Sequence, residues 1–377
     1  MNTHEPIKVA HLTSFHPPHD TRVGNRELRT LAAAGYDVVL IASCDPADAA
    51  RCDFRVHCVP VSKTRWQRIW STLRQIYRVA MDERAALYHF HDPELIPVGL
   101  ALKLRGKRVV YDVHEDVPRQ VMTFGFIPRL LRRPLSWAVS LAEWAAGRCL
   151  DRIVTVTPTI AARFPARKTV IVHNYPPADE LAAAAQQPYA ARPQRVAYVG
   201  GISDNYGVPA MVRAMGLLDD LPEARLALAG KAFVPPQLED ECRAMPGWAR
   251  VDFLGWRNRE QLADLFAASR LGLAVLRPTQ NYLDSWPTKL FEYMAAGLPI
   301  VASDFPVWRD LLGGYECVLW VDPLDSEAIA EAVRRLLTHP DEAEAMGHRG
   351  RQAIEQELNW ESQAARLLDL YRELTGR

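Results

Sequence analysis

The stretch Asn281–Ser303, NYLDSWPTKLFEYMAAGLPIVAS, decides how the rest of the chain is read. Pro287 suits the first turn of a helix and Gly297 its C-terminal cap, so the spacing predicts one short helix over Thr288–Ala296. The β-branched run at Ile300–Ser303 follows at once and reads as a strand. A helix turning directly into a strand is the repeating step of a parallel sheet covered by helices. Working outward, the same step recurs at Arg195–Gly200, Arg225–Gly230, Val251–Gly255, Leu271–Val275 and Val318–Val321. A separate series of strands is expected at Ile7–Thr13, Asp37–Ala42, Arg55–Val61, Ala86–His91, Arg108–Val113, Arg152–Thr157 and Thr169–His173. Helical patterns fill the gaps, so the fold class is α/β, with two doubly wound parallel sheets in tandem.

Between the two series the text turns to Tyr-Pro-Pro and an Ala/Gln stretch ending near 194, which has linker composition. The expected division is a first domain over 1–174, a linker over 175–194, a second domain over 195–358, and a C-terminal helix over 359–377 that returns to the first domain. Two domains also suit 377 residues. Ligands of such sheets bind outside the carboxyl ends of the strands, so a cleft between two of them is the expected site.

Composition excludes several classes. With 49% hydrophobic and 24% charged residues the chain must fold, and 45 Lys+Arg against 45 Asp+Glu give no global cation field for nucleic acid. The balance is uneven along the chain, however: residues 1–180 carry 25 basic against 18 acidic groups, and residues 181–377 carry 20 against 27. A basic first half suggests anionic lipid or phosphate as its partner. Six cysteines without a C-x-x-C pair or zinc spacing are too sparse to staple this chain, which favours free thiols and a reducing compartment. The absence of a signal-like N-terminus or a long apolar run predicts a cytoplasmic location.

Four segments could carry chemistry. In the opening stretch, backbone N–H groups at Ser285, Thr288, Lys289 and Leu290, with the Lys289 cation, form an expected diphosphate site, bracketed by Asp284 and Glu292. Val109–Asp116, VVYDVHED, ends a strand in His114, Glu115 and Asp116. Phe15–Arg26, FHPPHDTRVGNR, places Asp20 and Arg22 at a helix start, where they could contact acceptor or donor. Tyr198–Val208, YVGGISDNYGV, offers Gly200 and Gly201 for close backbone approach to a ligand, and Lys231 follows another strand. His89 and His91 lie on one face of a strand with Asp92 beyond, but no third and fourth ligands stand at a recognisable spacing, so no metal is expected. Lys63–Val79 and Phe124–Trp137 mix Arg with Trp, Phe, Ile and Leu, a pattern suited to an interfacial membrane contact.

The segment KLFEYMAAGLPIVAS resembles the E-x7-E region of family 4 glycosyltransferases, with weaker agreement over nearly the whole chain. That resemblance implies the GT-B fold, two Rossmann-like domains facing a central cleft, with C-terminal helices packing across. It also implies transfer of a sugar from a nucleoside-diphosphate sugar with retention and without a cofactor. Glu292 would then hydrogen-bond the ribose, Asp284 would touch the donor sugar in place of the family's Glu, and His114 would lie beside that sugar. Many members carry an Arg and a Lys on the diphosphate where this chain has Gly201 and Tyr206; Lys289 and Lys231 are the available substitutes. The chain has no Asp-x-Asp pair, so a metal-dependent diphosphate site is not expected. A lipid-linked or surface-polysaccharide acceptor at the inner membrane face fits the basic half. The competing readings are a nucleotide-sugar epimerase of the same architecture and a catalytically silent nucleotide-sugar-binding scaffold.

Overall fold

The computed structural model describes residues 5–60, 65–123, 127–185 and 188–376. The chain forms two units. The first comprises Met1–Asn174 with Glu361–Arg377, and the second Tyr175–Trp360.

The first unit is built on a sheet of β1 (Lys8–Thr13), β2 (Asp37–Ser43), β3 (Arg55–Val59), β4 (Leu87–Phe90), β5 (Arg108–Val113), β6 (Arg152–Thr155) and β7 (Thr169–Ile171). Its order is β3-β2-β1-β4-β5-β6-β7, and the pairings are parallel. The strand direction of sequence reverses between β1 and β4, the topological switch point at which open α/β sheets bind ligands. The helix Trp360–Thr375 joins this unit: Tyr371 hydrogen-bonds two sheet histidines, and Arg108 donates to the Leu374 carbonyl.

The second unit repeats the plan. Its sheet holds β8 (Arg195–Val199), β10 (Arg225–Ala229), β12 (Val251–Gly255), β13 (Leu271–Ala274), β14 (Ile300–Ser303) and β15 (Val318–Val321), in the order β12-β10-β8-β13-β14-β15. Two short strands, β9 (Ile202–Ser203) and β11 (Phe233–Val234), pair separately and are absent from the sequence expectation. The thirteen expected strands all form, with end residues shifted by two at most, because each is a short β-branched or apolar run; the inner strands are buried along most of their length and the edge strands β3, β7, β12 and β15 only in part.

Residue size divides the two faces of the second sheet. Val196, Tyr198, Leu226 and Leu228 enter one core, whereas Ala197, Ala227 and Ala229 enter the other. The alternation follows from the strand period of two. The small-residue face receives the helix Thr288–Ala295, whose Leu290, Phe291, Tyr293 and Met294 belong to the same core. At Gly272 a Cβ would stand 2.4 Å from the Tyr293 ring, so only glycine permits this close approach.

Two expectations are corrected. Segment 175–194 is no bare linker: Tyr175, Leu181 and Ala184 enter one core of the second unit and Tyr189 the other. Nor are all six cysteines free, since Cys44 and Cys58 form a disulfide with a Cα–Cα distance of 5.3 Å. The β2–β3 register sets Ala42 beside Cys58 and so brings Cys44 within reach. The cysteine count therefore no longer argues for a reducing compartment.

Candidate functional site

In the second unit the packing of Tyr293 fixes the start of its helix. The Tyr293 hydroxyl donates to the Leu273 carbonyl at 3.1 Å and accepts from the Val199 N–H at 3.2 Å. One turn earlier this holds the Lys289 side chain against the end of β8. Lys289 is 7% exposed, and its ammonium lies 4.1 Å from the centre of the Tyr198 ring and 5.2 Å from that of Tyr206. Among the described residues no hydrogen-bond acceptor meets it. Burial pushes its pKa down to about 7 although the nearby Glu292 carboxylate favours the charged form. Gly200, at φ +137°, passes so close that a Cβ there would stand 2.9 Å from the Lys289 nitrogen. The chain thus presents backbone and one unsatisfied amine at the carboxyl end of the central strand.

Beside this turn lies a cavity of about 550 Å³, lined by Gly200, Gly201, Tyr206, Lys231, Trp256 and Arg257 among others. The structure therefore brings together Gly200, Gly201 and Lys231, with Lys289 touching Gly200. Sequence reading missed Trp256 and Arg257. Their signal was positional, because they directly follow β12 and so stand at the carboxyl edge of the sheet.

Other donor-site expectations change. The Ser285 N–H donates to the Tyr282 carbonyl at 3.2 Å, and the Leu290 N–H to the Pro287 carbonyl at 3.1 Å, so neither is available to an anion. Thr288 and Lys289 open the helix, where N–H groups have no carbonyl of their own helix to bond. Glu292 is not on a solvated helix face. It is 7% exposed and accepts from Arg259 at 2.6 Å, while the same guanidinium reaches Glu180 at 2.6 Å. These two carboxylates outweigh burial and raise the Arg259 pKa. Asp284 lies half-buried at the end of the short helix Gln280–Leu283.

In the first unit Arg22 is not a ligand contact. It is buried and forked onto Asp112 at 2.7 and 3.0 Å, with a further bond to the Val172 carbonyl. Asp20 accepts from the Arg22 and Val23 N–H groups, and so closes the turn before a π-type helix at Val23–Leu28. Asp116 pairs with Arg163 at 2.9 Å and accepts from the Arg119 N–H at the start of the next helix. Both carboxylates serve local structure. Glu115 is exposed. His114 keeps some exposure, with Nε2 3.0 Å from Nε2 of His16 and Nδ1 3.7 Å from Asp112. His16 is cationic at neutral pH: burial lowers its pKa, but Asp20 and Asp92 together lift it to about 9.

His89 and His91 do acquire the neighbours that local spacing could not supply. The β1–β4 register sets His11 opposite His89, and Glu27 comes from the π-type turn. Ligand atoms of His11, Glu27, His89 and His91 all lie within 4.8 Å of one another.

Of the two Arg/Trp segments, residues 61–64 and 124–126 lie outside the described residues. The helix Arg129–Cys149 exposes Leu130 (91%), Trp137 (75%), Leu141 and Trp144 alongside Arg129 and Arg133. Among the described residues no helix is long and apolar enough to cross a membrane.

Two Rossmann-like units, each a parallel sheet with its candidate groups at the carboxyl ends of the strands, define the fold class. A model described as Glycosyltransferase Family 4 matches residues 25–175, and one described as Glycosyl transferases group 1 matches residues 179–353. The chain belongs to the family 4 glycosyltransferases and has the GT-B fold. Over 185 residues it is 25% identical to an uncharacterized glycosyltransferase of Methanocaldococcus jannaschii, covering 48% of this chain and 46% of that one. Over 194 residues it is 26% identical to glycogen synthase of Mycobacterium tuberculosis, covering 50% and 46%. The chain thus spans about half the length of the curated relatives it matches. Sucrose-phosphate synthase from Thermosynechococcus elongatus superimposes with a TM-score of 0.76 at 21% identity over 98% of this chain and 99% of that one. The Anabaena protein HepE, solved in complex with UDP-glucose, gives 0.74 at 13% identity over 97% and 100%. At these identities the likeness to solved structures is one of fold.

Proposed function

We propose that the protein is a retaining, metal-independent glycosyltransferase that moves a sugar from a nucleoside-diphosphate sugar to a lipid-linked or surface-polysaccharide acceptor at the cytoplasmic face of a membrane. The donor half rests on one observation, the buried Lys289 ammonium without an acceptor beside Gly200. A diphosphate oxygen there would satisfy the amine, and the N–H groups of Thr288 and Lys289 would add the helix dipole. Lys231 and Arg257 supply further cations around the neighbouring cavity. These groups replace the two family cations missing at Gly201 and Tyr206.

The chemistry then follows from leaving-group stabilisation. The bond from the anomeric carbon to the diphosphate breaks through an oxocarbenium-like transition state, and its negative charge develops against Lys289. The acceptor hydroxyl attacks from the same face and passes its proton to the departing phosphate. In this reading Glu292 bonds the ribose, Asp284 touches the sugar, and His114 positions it. The exposed Leu130, Trp137, Leu141 and Trp144 beside arginines support an anionic membrane as the place of the acceptor.

Thermal unfolding with UDP, GDP, ADP and CMP tests the donor class, since a ligand of the native state raises its stability. A nucleotide-sugar panel follows for the base that stabilises, starting with the UDP-glucose held by HepE. Stabilisation by one nucleoside diphosphate together with sugar transfer is expected. Binding without turnover would leave the scaffold reading, and isomerised donor without acceptor would leave the epimerase.

A further inference from the structure

The cluster around β1 and β4 lies outside the donor site and serves no step proposed above. His11, Glu27, His89 and His91 are all buried, with side chains that solvent does not reach. Among the described residues both Glu27 oxygens lack a hydrogen-bond partner, as does Nε2 of His89. A carboxylate left so deep without donors costs several kcal/mol unless a cation or a proton compensates it. Arg22 stands 3.1 Å from Glu27, but its fork is already engaged by Asp112.

The distances suit a single small ion. Nδ1 of His11 lies 2.9 Å from Nε2 of His91, and Oε2 of Glu27 lies 3.8, 4.0 and 3.9 Å from the nearest nitrogens of His11, His89 and His91. Four ligands about 2.0–2.1 Å from a tetrahedral ion stand roughly 3.4 Å apart, in the middle of this range. Outer partners also occupy the positions a metal site requires. Nε2 of His11 and Nδ1 of His89 both meet the Tyr371 hydroxyl, at 2.7 and 2.8 Å, and Nδ1 of His91 meets Asp112 at 3.1 Å, which leaves Nδ1 of His11 and Nε2 of His91 facing each other at the centre of the cluster.

We infer that His11, Glu27, His89 and His91 form a buried site for one divalent transition-metal ion of the zinc type. Three imidazoles and one carboxylate match the preference of zinc over the oxygen-only sets of magnesium and calcium. The ion belongs to the first unit and is held by none of the residues assigned to the donor diphosphate, so it is no part of the proposed transfer. It pins the C-terminal helix to the sheet, because the Tyr371 hydroxyl touches two of its ligands, His11 and His89.

The test is metal analysis of the full chain. Protein stripped with a chelator and returned to Zn²⁺ should bind one equivalent tightly and unfold at a higher temperature. Glu27→Gln and His89→Gln should each weaken zinc by more than ~100-fold, and Tyr371→Phe by about tenfold, as loss of an outer partner does. His114→Ala should retain the ion. Should the ligand variants fail to fold, Co²⁺ in the wild-type chain still decides: a tetrahedral visible spectrum supports the site, and an octahedral one overturns it. Folded wild type that binds no Zn²⁺, zinc kept undiminished by Glu27→Gln and His89→Gln, or zinc lost from His114→Ala would each overturn the assignment.

Discussion

Replacing Lys289 by methionine separates its roles in stability and in binding. Burial holds the ammonium at about 7 against an ordinary 10.5, a penalty of roughly 5 kcal/mol on the charged form. Methionine keeps the length of the stem and removes the desolvated charge, so the variant should be the more stable protein. The gain should be full below pH 7, where the native chain must carry the buried cation. It should shrink between pH 7 and 10.5, where the native amine is neutral while the unfolded one still binds a proton. Binding should move the other way. A diphosphate raises the pKa of Lys289, so binding takes up a proton between about pH 7 and the higher bound value. In that window the affinity of wild type for the nucleotide should fall by up to about tenfold per pH unit. Losing one charge-assisted hydrogen bond of about 1.5–3 kcal/mol should cost the variant ~10–150-fold in affinity and flatten the pH dependence. Titration calorimetry of UDP at pH 6 to 9, in buffers of different ionisation enthalpy, counts the proton directly. Equal affinity and equal pH slope in wild type and Lys289→Met would refute the reasoning.

Three further outcomes are expected. Glu292→Ala should weaken nucleotide binding and also lower stability by about 2 kcal/mol in urea unfolding, because it strips Arg259 of one of two partners; unchanged stability would show that the Arg259–Glu180 pair suffices. His114→Ala should reduce turnover by at least ~10-fold while leaving UDP affinity near wild type, and a fully active variant would assign His114 to its contact with His16 alone. Leu130→Glu with Trp137→Glu should abolish co-sedimentation with vesicles containing phosphatidylglycerol while leaving the melting temperature within about a degree, since both side chains already face solvent; undiminished sedimentation would remove this helix from the membrane contact.

The strands were legible because each is a compact apolar run, and Gly200 and Lys231 could be read from the turns that follow strands, Lys289 from the start of a helix. What escaped the sequence depends on pairings across long separations. Arg22 meets Asp112 ninety positions away, so its commitment cannot be read from the loop that carries it. The burial of Glu292 could not be read from its helix because its partner Arg259, which also holds Glu180, comes from another element. Cys44 and Cys58, like His11 and His89, meet only through strand order and register. The supposed linker misled by its Ala and Pro content, although Tyr175, Leu181 and Tyr189 carry the apolar contacts that fasten it.

The return of the last helix to the first unit governs the order of biosynthesis. A ribosome delivers β1 to β7 first, yet the helix bearing Tyr371 emerges only after the whole of the second unit. Until then the nascent first sheet carries His11 and His89 without the hydroxyl that bridges them. The second unit, contiguous from Tyr175 to Trp360, is complete in sequence before the helix that finishes the first unit is made. The first unit is thus completed after the second, and loss of the helix Trp360–Thr375 would damage the sheet of β1 to β7 that lies far before it in sequence.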